Sequence, residues 1–348
     1  MTNELGNVEL LSHEERKKHT LRAMVRGTYD LQKQRIMAGN RIVMQFRSRV
    51  LGIKGDQKEE DLDKDTKKVI DLMKVHYKNI TKGIAAKLDN EFKKPNKRSF
   101  KGNEIISEYS ELCMLHQYFE LEAMEARGFR QIESALDEHP IYTRFLRQVV
   151  GIGPALAGYI ISEIDISKAT YPASLEKYIG IDVVMEIDPE TGEITGSHGR
   201  SMRKEDMVTV KYTAKDGTEK EKLSLTFKKD LRAKMIGVLA SCFLRSKSSY
   251  SNNYYNYKNR ISNAPEHKDK TLLHKHRMAT RYMLKFFVRD LYIAWKYVSD
   301  MEIRPAYEAA KLGILHNGVT FDDYVRKFLS KNVTDYDEST LKLAPYAG

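Results

Sequence analysis

Residues 146–160 read LRQVVGIGPALAGYI, and how this stretch is read decides the fold. Apolar residues at helical spacing halt at Gly151-Ile152-Gly153-Pro154 and resume at Ala155. Glycine permits a tight turn and proline suits the first position of a helix. The pattern predicts a helix over Ile141–Val149, a tight hairpin, and a second helix over Ala155–Ile164. Glycines let a backbone approach a phosphate, and the start of the following helix offers unpaired N–H groups with a partial positive charge. Gly151, Ile152, Gly153 and Pro154 are therefore candidate contacts to a DNA backbone, with Arg144 and Arg147 near enough to assist. An ordinary helix-connecting turn would carry the same glycines, so the reading leans on the two flanking helices.

Upstream, apolar positions recur at helical spacing from Ser12 to Leu51, between Arg22, Arg26, Lys33, Arg35, Arg41, Arg47 and Arg49. Further helices are predicted over 61–92 and 104–136, separated by KKPNKRSFKGN at 93–103. Three long helices in succession predict a hairpin bundle or coiled-coil-like arm over 1–138, which would also serve as an oligomerisation region. Its basic residues suit either a solvated helix face or phosphate contact.

Downstream, Ala173–Ile179 is a short helix stopped by Gly180. Over about 181–227 the character changes to strands: 183–187 and 193–195 flank Asp188–Gly192, and 207–213 and 221–226 flank Lys215–Thr218. Helix returns over 228–244. The tyrosine-rich SKSSYSNNYYNYKNR (246–260) reads as a turn between helices, with Tyr250, Tyr254, Tyr255 and Tyr257 able to stack on bases. Leu272–Val298 is a strongly apolar helix, 304–312 and 321–329 are further helices, and a frayed tail ends the 301–348 segment. The expected class is mainly α: a long helical arm, a helix-hairpin-helix DNA-binding domain over 139–300, and a small antiparallel β insertion.

Composition narrows the partners. The 59 Lys+Arg against 48 Asp+Glu leave a net charge of +11, which suits a polyanion through counterion release. Charged residues make up 31% and no run approaches the ~18 apolar residues of a membrane span, so no membrane partner is expected. Cys113 and Cys242 are the only cysteines, too few for a disulfide framework or a four-cysteine zinc site. His267, His274 and His276 follow no zinc spacing. With no signal-peptide core at the start, the expected location is cytoplasmic and nucleoid-associated.

The run LRQVVGIGPALAGYIISEIDISKATYPASLEKYIGI (146–181) resembles the helix-hairpin-helix of the IS-one-ten family of insertion-sequence transposases. It has the Gly-x-Gly-Pro turn at Gly151–Pro154, the acidic step at Glu163-Ile164-Asp165-Ile166 and the stop at Tyr178-Ile179-Gly180. FKKDLRAKMIGVLASCF (227–243) is similar to that family's later basic helix, which adds Lys228, Lys229 and Arg232 as candidate DNA contacts. HKHRMATRYMLKFFVRDLYIAW (274–295) resembles its closing helix, and LRAMVRGTYDLQKQRIMAGNRIVMQF (21–46) its helical arm.

The resemblance implies a serine nucleophile shortly after the hairpin, in TGSHGRSMRK (195–204). Ser197 is the first candidate and Ser201 the second; His198 would activate the hydroxyl, and Arg200, Arg203 and Lys204 would stabilise phosphate charge. It also implies an N-terminal RuvC-like domain whose acidic residues hold magnesium, which the first twenty residues do not supply. No cofactor is evident in this chain, and magnesium is expected only if a separate nuclease-like partner brings the acidic domain. The expected partners are DNA, a second copy of the chain, and a structured RNA if the family analogy extends so far. Two functions compete: a transposase-like recombinase acting through a serine, and a non-catalytic DNA- or RNA-binding regulator or architectural protein.

Overall fold

The computed structural model describes residues 12–52, 59–68, 71, 96–101, 108–188, 190–306 and 318–344. They are mainly helical, with two small antiparallel sheets. The chain divides into His19–Ile132 and a larger unit holding the other described residues.

In the smaller unit, helix α1 (His13–Leu51) lies antiparallel to α2 (Tyr109–Leu136). Contacts rise along one helix as they fall along the other: Thr28 meets Gly128, Arg35 pairs with Glu125, Gly39 meets Tyr118, and Arg49 pairs with Glu111 at 2.6 Å. Leu21, Val25, Ile42, Leu115 and Ile132 are buried, as the helical spacing predicts. Arg35 and Arg49 are not purely solvated cations, because Glu111 and Glu125 are buried carboxylates that hold them. Most of the expected helix over 61–92, beyond a short helical stretch at 64–68, lies outside the described residues.

The close approach at Gly128 gives a test. A Cβ there would lie 2.5 Å from Thr28 Oγ1, and that hydroxyl is buried and donates to the Met24 carbonyl at 2.9 Å. Alanine normally stabilises a helix by about 1 kcal/mol over glycine, but overpacking here costs about 1–3 kcal/mol. Gly128→Ala is therefore expected to loosen this helix pair, and Thr28→Ala in the same chain to relieve it. Hydrogen exchange of residues 19–51 reads the difference.

In the larger unit, the core is helix α9 (Leu272–Val298), where Met283, Leu284, Phe287, Val288, Leu291 and Tyr292 are fully buried. Packed on it are α3 (Pro140–Arg144), α5 (Pro172–Ile179), α7 (Ala240–Arg245), α8 (Ser251–Asn263) and α10 (Phe321–Asn332). The predicted helix over 141–149 breaks at Phe145 (φ −137°, ψ −64°) into α3 and a 3-10 turn at Leu146–Gln148. The break lets both Phe145 and Leu146 be buried. Helix α4 (Pro154–Glu163) follows Gly153 as expected, and all but its first turn is buried.

Gly180 ends α5 at φ +79°, its amide donating to the Glu176 carbonyl at 2.9 Å. Strands β1 (Val183–Ile187) and β2 (Ile194–Gly199) then pair, as do β3 (Met207–Thr213) and β4 (Glu219–Leu225). Helix α6 (Lys229–Ala233) runs through a π-helical stretch, Lys234–Leu239, into α7. The tyrosine-rich segment is helical rather than a turn: α8 buries Tyr254 and Ile261. Tyr250, just before it, is buried as well. Of the helix expected over 304–312, residues 304–306 are not helical and the others lie outside the described residues. The tail is pinned through 344, with the Ile303 amide donating to the Lys342 carbonyl at 2.9 Å and the Ala344 amide to that of Ile303 at 3.0 Å.

Candidate functional site

Strand β2 continues through 195–199, so Ser197 and His198 sit on a strand rather than in a loop. Side chains alternate faces along a strand, and Ser197, opposite Met185, is exposed on the face away from His198. His198 is fixed elsewhere: Nδ1 lies 2.8 Å from Glu186 Oε1 and Nε2 lies 2.9 Å from Asp206 Oδ1. It is Ser201 that shares this network. Its Oγ donates to Asp206 Oδ2 at 2.6 Å, and its amide donates to the same oxygen at 2.8 Å.

Asp206 is buried at the short turn Lys204–Asp206, with its two oxygens divided between Ser201 and His198. Burial pushes its carboxyl up, but the hydrogen bonds from Ser201 and His198 outweigh that and hold it below the usual range. His198 is raised, first by its bond to Asp206; partial burial opposes this and Glu186 adds to it. The arrangement is an ionised carboxylate oriented on a serine hydroxyl and backed by an imidazole that favours its charged form.

Beside Ser201 opens a cavity of about 720 Å³. One wall is a single face of the continuous helix over 229–245, contributing Lys229, Arg232, Ile236, Gly237 and Leu244. The other is the first turns of α9, contributing His276, Arg277, Thr280 and Arg281. The lining holds the cations Lys229, Arg232, Arg277 and Arg281, and no Asp or Glu.

Arg232 lies over the Phe227 ring at 4.6 Å and donates from Nη2 to the Arg200 carbonyl at 2.8 Å. Its Nη1 is buried and has no hydrogen-bond partner among the described residues. The Arg281 guanidinium occupies the space a Cβ on Gly199 would need, which explains a glycine at that strand end. Burial first, then the charge of Arg281, lowers the proton affinity of Arg232; burial first, then Arg277, lowers that of Arg281. The repulsion among these cations is offset in part by Asp182, and for Arg232 also by Asp206.

Of the residues predicted from sequence, the structure brings Ser201, Lys229 and Arg232 together at this cavity, with His198 reaching it through Asp206. Arg200 is not a free cation: it grips Asp182 through Nε and Nη2 and donates to Thr226 Oγ1 at 2.8 Å, tying down the base of the β insertion. Lys228 pairs with the buried Glu163 at 3.1 Å. Arg144 donates to the carbonyls of Thr334 and Asp335 at 2.9 and 2.8 Å, so it anchors the tail.

Arg203 and Lys204 are exposed, and Arg147 is exposed 3.7 Å from Asp137. In the hairpin, Gly151 has φ +99° and is packed on Phe243 and Ser246, and Ile152 is buried. Gly153 and Pro154 open α4, and Gly153 faces open space.

Asp206, Arg277 and Arg281 are functional candidates that sequence reading passed over, and His276 was weighed there only as a metal ligand. The signal for the two arginines is their i, i+4 spacing at the start of α9, two turns before the buried Leu284 and Val288 on the same face. Among the described residues no group of three or more Asp, Glu, His and Cys side chains is placed to hold a metal ion. No described helix is long and apolar enough to cross a membrane. No family model, curated protein or solved structure matches the chain.

Proposed function

We propose that this chain is a DNA-binding, transposase-like protein that engages a DNA phosphate at the cavity beside Ser201. The observation that carries the reading is a serine hydroxyl, bonded to a buried carboxylate, at the edge of a cavity lined by four cations and no acid. Clustered arginines at a partly buried site suit an anion better than a neutral ligand. The family resemblance and the +11 net charge favour DNA as that anion.

In this reading Ser201, rather than Ser197, is the nucleophile. Ser201 Oγ bonds to phosphorus while its proton passes to Asp206 Oδ2, and the bond from phosphorus to the departing strand-end oxygen breaks. That oxygen takes a proton from solvent. Lys229 and the arginines carry the charge that develops on the phosphoryl oxygens. His198 is a positioning residue that orients Asp206. The helical arm would join copies of the chain, and a nuclease-like partner would supply any acidic metal centre.

The test is incubation of the protein with supercoiled and branched DNA, followed by a search for a denaturant-resistant protein–DNA adduct. The expected result is an adduct with the native chain and Ser197→Ala, and none with Ser201→Ala. Loss in Ser197→Ala alone would move the nucleophile to β2. Binding is expected to weaken by about 10³–10⁵-fold between 50 and 200 mM salt if six to ten phosphates are neutralised. Salt-sensitive binding without an adduct would instead favour the non-catalytic regulator, and binding indifferent to salt would sink the polyanion reading.

A further inference from the structure

The cavity is larger and less polar than a phosphate contact requires. Its cations sit with Ser201 against walls formed largely by Met202, Phe227, Ile236, Ala240 and Leu244. A volume of about 720 Å³ falls within the ~300–1,000 Å³ range of sites that enclose a small molecule. A surface that merely tracks a duplex backbone needs cations and no enclosed apolar wall.

We infer that the cavity takes one unpaired nucleotide, its phosphate held by Arg232, Arg281, Arg277 and Lys229 beside Ser201, and its base set against the apolar wall of Phe227, Ile236 and Leu244. The inference rests on the phosphate-binding reading above and adds the substrate class: a nucleotide outside the stack, at a strand end or extruded from a duplex.

Three observations converge on it. The buried Nη1 of Arg232 has no partner among the described residues, and an unsatisfied buried donor is rarely retained without use. Arg232 lies over the Phe227 ring at 4.6 Å, and a guanidinium can stack on a base as well as donate hydrogen bonds to it. His276 has its Nδ1 engaged by the Tyr254 hydroxyl at 2.7 Å, which leaves Nε2 as the ring nitrogen able to meet a base edge. A base still paired in a duplex cannot enter such a cavity, whereas extruding one is affordable when it is already unpaired.

Gly237 makes the idea testable without endangering the fold. It lines the cavity from a helical position, has an ordinary backbone conformation, and a Cβ there meets nothing within 4 Å. Gly237→Leu should fill the space and leave the helix at least as stable.

The experiment is calorimetric titration of the full chain with deoxyadenosine monophosphate, deoxyadenosine and inorganic phosphate, and of blunt against single-strand-overhang duplexes. The monophosphate is expected to bind at least tenfold tighter than either fragment, and the overhang duplex to compete with it. Gly237→Leu should abolish monophosphate binding and the overhang preference. Arg232→Gln should weaken the monophosphate by tenfold or more.

Equal affinity for phosphate and monophosphate would overturn the inference in favour of a simple anion site. Monophosphate binding with which the overhang does not compete would overturn it in favour of a free nucleotide ligand. Salt-sensitive duplex binding with no affinity for the monophosphate would overturn the inference alone and leave the proposed function standing. Loss of duplex binding as well would remove both.

Discussion

Alanine at Gly180 is expected to destabilise the larger unit by about 2–5 kcal/mol. Two independent penalties act at this position. The backbone stands at φ +79°, where an L side chain costs about 1–2 kcal/mol. A Cβ would also lie 2.6 Å from Phe227 Cγ and 2.8 Å from Cδ2, so the ring must shift, at about 1–3 kcal/mol for an overpacked core.

The displacement reaches the site, because Phe227 carries Arg232 on its face and lines the cavity. Resistance to urea and, on the proposed reading, affinity for DNA should therefore fall together in Gly180→Ala. Gly153→Ala is the control: its φ of −95° is ordinary and its Cβ would meet open space, so a change of about 1 kcal/mol or less is expected. Equal stability of Gly180→Ala and the native chain would refute the packing described at the end of α5.

Stability should also fall with rising pH through Asp290, against the usual trend for carboxylates. Asp290 is buried in α9 and accepts from the Tyr250 hydroxyl at 2.9 Å and the Tyr324 hydroxyl at 2.6 Å. Burial pushes its carboxyl up to about 6 despite Arg289 and those two donors. An unfolded aspartate titrates near 3.9. Between these values the folded chain holds a proton that the unfolded chain has released, so stability declines as pH rises from about 4 through 6 and levels off above.

The loss is on the order of 2–3 kcal/mol, since each pH unit of difference corresponds to about 1.4 kcal/mol. Asp290→Asn lacks this titration, so the stability gap between the two proteins should widen in favour of the asparagine over that interval. A gap that is flat from pH 4 to 7 would show that the carboxyl is not desolvated. Because Tyr250 precedes α8 and Tyr324 lies on α10, the same group joins three parts of the chain.

The elements that sequence reading located are those whose signals are local. Leu272–Val298 has its full length in the pattern because Thr271 caps it and an apolar residue returns every three or four positions. Asp216-Gly217 marked one hairpin and Gly180 the end of α5 by the same logic of backbone angle. What stayed hidden was set by distant partners. Phe145 and Leu146 both enter the core, and no local pattern announces the break that allows it. Residues 196–199 lack strand composition and become a strand through pairing with β1.

The candidate site was half legible for the same reason. Ser201, Lys229 and Arg232 stood in stretches already singled out for basic or hydroxyl chemistry. Asp206, within the charged run Arg203-Lys204-Glu205-Asp206, resembled a solvated surface. Arg277 and Arg281 were overlooked because α9 was read for its apolar stripe alone. Arg144, Arg200 and Lys228 have intramolecular partners that no local pattern announces: a basic residue that faces a ligand is indistinguishable in sequence from one that ties two segments together.

The π-helical stretch at Lys234–Leu239 amounts to one extra residue carried inside a helix. In a regular α-helix each residue turns the chain by about 100°. The stretch thus sets the angular phase of Lys229 and Arg232 against Leu239 and Phe243, which are embedded in the core. Excising a single residue there would wind the helix back to regularity and swing the two cations to another bearing with the hydrophobic half undisturbed. A one-codon deletion would in that way retarget the same basic residues without substituting either of them.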